Sequence, residues 1–103
     1  MRLSLRIDRE KWAGLSLVEQ MGNISSEVGR AINARENPAR RDGAIDRALD
    51  LFSATAACHS GRRLREILRA RDEFLRLFYD SSTDFDGVGR YFHQFALAAR
   101  RRH

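Results

Sequence analysis

Residues 16–31 read SLVEQMGNISSEVGRA, and this stretch decides the fold. Leu17, Met21, Ile24, Val28 and Ala31 recur at spacings of four, three, four and three, the stripe of a helix that buries one face. Ser16 and Glu19 form a capping box at its start, because hydroxyl and carboxylate can satisfy orphan backbone donors reciprocally. The helix is expected over 17–35. The same rhythm returns in Ile45, Leu49, Phe52 and Ala56, and again in Phe85, Val88, Phe92, Phe95 and Ala99. Between these runs lies a highly charged stretch with its own seam, Leu64, Ile67, Leu68, Phe74, Leu75 and Phe78, and with Arg71 set inside it. The spacing predicts further helices over 43–59, 62–79 and 85–101. Short connections favour antiparallel neighbours, so the expected fold is all-α, an up-down four-helix bundle.

Ahead of the bundle, Leu3, Leu5 and Ile7 alternate with Arg2, Ser4 and Arg6, a period of two that suits a short extended N-terminal arm. The expected organisation is an arm over 1–15 and a single domain over 16–103. Trp12 is expected to cover one end of the bundle. Residues 36–43 read as a loop, in which Asn37-Pro38 can cap a short turn or the next helix. Gly61 is expected to end the second long helix as a left-handed cap. Thr83 and Asp86 offer a weaker capping box for the last helix.

With 103 residues one domain is expected, and so small a core leaves room for stabilisation by a partner chain. The single cysteine, Cys58, excludes an intramolecular disulfide framework; it fits a reducing compartment and reads as a small buried hydrophobe. The arginines at 2, 6 and 9 precede no apolar run of signal-peptide length, and nowhere do about eighteen apolar residues follow one another. A cytoplasmic protein that does not enter the membrane is expected.

No catalytic or metal motif emerges. One cysteine and three histidines cannot make a spaced tetrahedral zinc set, and the Glu-x-x-His pairs of a carboxylate-bridged di-metal bundle are absent. No histidine follows an arginine at the four-to-six-residue interval found in helical ribonucleases. Gly87 and Gly89 lack the strand and following pattern of a phosphate-binding loop. The chain is therefore expected to be no enzyme, and no cofactor is expected.

Charge is the remaining signal. Formal net charge is +5, and eighteen of the nineteen basic residues are arginine, the better donor to phosphate and base edges. Codon usage in a GC-rich genome produces the same excess. Residues 52–103 hold ten basic and six acidic side chains, against nine and eight in residues 1–51. Arg62, Arg63, Arg65 and Arg69 open the third long helix, and Arg100, Arg101 and Arg102 end the fourth. Cations oppose the macrodipole at a helix N-terminus but suit a C-terminus, so the first cluster argues more strongly for an external anion. Both clusters are candidate nucleic-acid-binding residues. Gly22, Ser25, Ser26 and Gly29 form a small-residue stripe fit for tight packing inside the chain or for a subunit interface. Glu27 and Arg30 stand three apart as a candidate ion pair, and Arg71 is expected to meet Glu19 or Glu27 or to reach the rim.

The strings at 16–31, RALDLFSATAA (47–57), RLREILRARDEFLRLF (63–78) and YFHQFALAAR (91–100) resemble a family of short uncharacterised prokaryotic four-helix-bundle proteins. In fold, size and basicity the chain also resembles the accessory variability proteins of diversity-generating retroelements. That resemblance implies an oligomeric bundle that binds nucleic acid and a reverse transcriptase or other RNA-handling enzyme. A homo-oligomer that binds nucleic acid is the leading expectation, and a homo-oligomeric protein–protein adaptor without nucleic-acid binding is the alternative.

Overall fold

Polar side chains standing just ahead of the helices set where they begin. The Asp8 carboxylate accepts from the Lys11 amide at 3.2 Å and opens α1 (Arg9–Ala13). At the start of α2 (Leu17–Asn33) the Ser16 hydroxyl accepts from the Glu19 amide at 3.2 Å while the Glu19 carboxylate accepts from the Ser16 amide at 2.9 Å. Asn37 caps α3 (Pro38–Ala56) through the Arg40 amide at 3.3 Å, with Pro38 at the position where a missing N–H forfeits nothing. A short turn leads to α4 (Gly61–Tyr79), and the Asp84 carboxylate accepts from the Gly87 amide at 2.9 Å to begin α5 (Phe85–Arg101). The computed structural model describes residues 8–79 and 84–101; among these, every regular element is a helix.

Several local expectations are corrected. Residues 38–43 are the first turns of α3 rather than a loop, because the Asn37 cap and Pro38 start a helix that needs no apolar seam at an exposed end. Gly61 does adopt φ +59, the left-handed region, yet it opens α4; α3 has already ended at Ala56, where the Ala57 amide bonds to the Ser53 carbonyl at 3.1 Å. Cys58 therefore falls in the turn and is exposed, with its thiol directed to the Ala54 carbonyl at 3.3 Å. Within the expected arm, Arg9–Ala13 is helical, and Leu3, Leu5 and Ile7 lie outside the described residues, as does Thr83.

The core forms where the seams meet. Ile24 and Val28 of α2, Ile45 and Phe52 of α3, Ile67 and Phe74 of α4, and Phe92 of α5 are all buried. Phe52, Phe74 and Phe92 make its centre, with ring centroids 6.1 to 6.5 Å apart in tilted and edge-on pairs. Each such ring contributes about 1.5–3 kcal/mol through burial alone. In α4 the seam runs through Ala70 and Leu77, while Leu75 is only half-buried.

The small residues of α2 let α5 come close. A Cβ on Gly22 would stand 2.7 Å from the Ala99 Cβ, and the buried Ser25 hydroxyl lies 2.8 Å from both the Met21 and the Phe92 carbonyl, with one proton to donate to either. At the same end of α2, Gln20 is fully buried. Its amide donates to the Trp12 carbonyl at 2.8 Å and its oxygen meets the His59 Nε2 at 2.8 Å, joining α1, α2 and the α3–α4 turn.

Candidate nucleic-acid interface

Arg62, Arg65 and Arg69 stand three and four residues apart, so helical geometry puts them on one outward stripe of α4, and Arg63 stands beside it in the first turn. All four are exposed, and none makes an ion pair with another described residue. The first turn of α4 holds no acidic side chain to offset the positive end of the helix, and the nearest carboxylate along it, Glu66, stands one turn on.

The four are not electrostatically equal. Arg69 lines a groove with Glu66, Glu73 and Asp84, between α4 and the start of α5. Three carboxylates around one guanidinium repel a phosphate, so Arg62, Arg63 and Arg65, which do not line that groove and have only Glu66 close to them along the helix, are the more open cations. Tyr91 lines the same groove, and its phenol is pushed above the ordinary 10.0 by burial and by the Glu66 carboxylate, against the lowering effect of Arg69; Glu73 adds to the rise.

Arg100 and Arg101 close α5 in its last turn and are exposed; Arg102 lies outside the described residues. A cleft lined by Leu17 and Val18 of α2, Glu66 and Ile67 of α4, and Phe95 and Ala98 of α5 puts the start of α4 and the end of α5 at one end of the molecule. Both arginine clusters thus reach that end. Arg100 borders a different groove, with Glu19, Asn23 and Ser26 of α2, so it stands on the α2 side of α5.

Gly22 and Ser25 of the small-residue stripe are buried against α5 within the chain, whereas Ser26 and Gly29 stay open along the α2–α5 groove. Arg71 pairs with neither expected carboxylate. Glu19 is held in its capping box, Glu27 bonds Arg30 and Arg47 at 3.2 Å each, and the buried Arg71 Nε finds no partner among the described residues.

A second basic region was not legible in the sequence. Arg30, Arg40 and Arg47 line one cleft between α2 and α3, although ten and seven residues separate them along the chain. Among the described residues no group of three or more histidine, cysteine, aspartate or glutamate side chains could hold a metal ion, and no helix is long and apolar enough to cross a membrane. Compared with known proteins, the chain matches no family model, no curated protein and no solved structure.

Proposed function

We propose that this chain is a non-enzymatic, basic accessory protein of the cytoplasm that binds nucleic acid and scaffolds a nucleic-acid enzyme such as a reverse transcriptase. This is the role implied by its resemblance to the retroelement accessory proteins. The arrangement proposed is an up-down four-helix bundle of α2 to α5, preceded by an N-terminal arm and assembled as a homo-oligomer. Support for the bundle comes from the packing of α2 on α3 and α5, of α3 on α4 and of α4 on α5, together with the short connections.

The observation that carries the binding role is the exposure of Arg62, Arg63 and Arg65, none of them in an ion pair with another described residue, at a helix whose first turn holds no acid. Backbone phosphates supply the missing charge. The test is a salt titration of binding to a labelled single-stranded oligonucleotide, comparing the parent with the Arg62→Ala/Arg63→Ala double variant. The variant is expected to bind all sequences more weakly, with a salt slope shallower by about one for each phosphate that is no longer neutralised.

One observation favours the protein–protein adaptor as a second reading. The cleft of Leu17, Val18, Met21, Ile67, Tyr91 and Phe95 is chiefly apolar, and Leu97 on α5 is 40% exposed. Unchanged oligonucleotide affinity in the double variant gives the adaptor the lead. Light scattering that finds only one chain per particle at micromolar concentration refutes the oligomer.

A further inference from the structure

The cleft between the last turns of α2 and the first turns of α3 encloses about 500 Å³ and is lined by Arg30, Asn33, Asn37, Arg40, Gly43 and Arg47. Its volume falls within the range of small-molecule sites. Glu27, with its side chain only 15% exposed, accepts from the Arg47 Nε through Oε1 at 3.2 Å and pairs with the Arg30 Nη1 through Oε2 at 3.2 Å. One carboxylate therefore fixes guanidiniums from two helices before any ligand arrives. The Arg47 Nη1 lies 3.4 Å from where a Cβ on Gly43 would stand, so the free edge of the fork runs close along α3 and a methyl there would press on it. Asn37 uses its side-chain oxygen to cap the Arg40 amide, which leaves its NH₂ to donate.

Three guanidiniums against one carboxylate leave two positive charges around this space. A phosphomonoester carries about −1.5 to −2 at neutral pH and presents three acceptor oxygens to fork-shaped donors. The first turn of α3 holds no acidic side chain, so its N-terminal end adds to the same field. Arg40 makes no ion pair with another described residue.

We propose that the α2–α3 cleft is a phosphomonoester site, gripped by Arg40 and Arg47, flanked by Arg30, and organised by Glu27 as a positioning residue. The site lies toward the end of α2 away from the Arg62 cluster and does not depend on phosphate binding there. The phosphate belongs either to a free nucleotide-sized molecule or to the 5′ end of a strand.

The experiment follows backbone amide resonances of the full chain at constant ionic strength. The probes are a nucleoside 5′-monophosphate and two oligonucleotides of one sequence, with a 5′-phosphate and with a 5′-hydroxyl. Saturable shifts centred on Ala39, Arg40 and Gly43 are expected with at least one phosphorylated probe. Arg40→Gln should weaken that response by about tenfold, the usual loss for one charge-assisted hydrogen bond. Gly43→Ala should weaken it without changing charge, and Glu27→Gln should do so while melting confirms that the chain still folds. Arg62→Ala/Arg63→Ala should leave it unaltered. A preference for the 5′-phosphorylated strand over its hydroxyl twin identifies a strand end as the source; saturation by the free nucleotide with no difference between the strands identifies a free ligand. Absence of a saturable response to every phosphorylated probe overturns the proposal, whatever the double variant does in the salt titration, as does a response that Arg40→Gln and Gly43→Ala leave unchanged.

Discussion

The Trp12 indole N–H donates to the Thr55 hydroxyl across 3.0 Å, and that hydroxyl in turn donates to the Leu51 carbonyl at 2.8 Å. The pair is buried and joins α1 to the last turn of α3. Thr55→Val removes the acceptor while keeping the shape, which strands the indole N–H. An unsatisfied buried donor costs about 1–3 kcal/mol, and a domain of this size loses about 4–8 °C of Tm per kcal/mol. Trp12→Phe leaves the Thr55 hydroxyl bonded to Leu51 but loses packing. In a double-mutant cycle read by thermal melting, the two changes together should cost less than their sum, and strict additivity would show that the bond contributes nothing.

Gly22 and Gly29 lie on the same small-residue stripe but should respond in opposite directions to alanine. At Gly22 the new Cβ would meet the Ala99 Cβ at 2.7 Å, so α2 and α5 must separate; at Gly29 nothing stands within 4 Å. Overpacking costs about 1–3 kcal/mol, while removing a helix-interior glycine gains roughly 0.5–1 kcal/mol. Gly29→Ala should therefore raise Tm and Gly22→Ala should lower it. Adding Ala99→Gly to the Gly22 variant should recover part of the loss, and failure to do so would place the clash elsewhere.

What the sequence made legible follows from the range of each signal. The start of α2 was readable because Ser16 and Glu19 act within one turn, and the seams of α2 and α5 because burial imposes their period. The first turns of α3 carried no period, since Pro38, Ala39 and Arg40 are exposed, and α1 is too short to have one. Clefts are a different matter. Glu27 and Arg47 are twenty residues apart, and Arg69 acquires Asp84 as a groove neighbour only when α5 arrives beside α4. Each arginine on its own reads as a solvated side chain.

Tyr91 should make stability fall in alkali. Its folded pKa is raised above the ordinary 10.0 chiefly by burial, so the folded state holds the phenol proton more tightly than the unfolded chain does. Any stability this supplies is fully present below pH 10 and is lost as pH rises through the folded value. Ultraviolet titration of the parent minus Tyr91→Phe should give a tyrosinate transition above pH 10, and the variant should lose less stability there. A difference transition at or below the ordinary value would refute the assignment.

Arg62 and Arg63 should be unfavourable for folding. Both are exposed in the first turn of α4, where the helix presents its positive end and which itself holds no acidic residue. Such a cation costs roughly 0.3–1 kcal/mol at low ionic strength, and salt screens the effect. Melting of the Arg62→Ala/Arg63→Ala variant in low salt should give a Tm equal to or above that of the parent, with the gap closing as salt is added. Arg100→Ala/Arg101→Ala should do the reverse, because those cations sit at the favourable end of α5. The contrast matters more than either value alone. Alanine gains helix propensity of similar small size over arginine in both pairs, so a common shift cancels and the difference isolates the dipole. Equal shifts in the two variants would remove the electrostatic reason for expecting an anion at the start of α4.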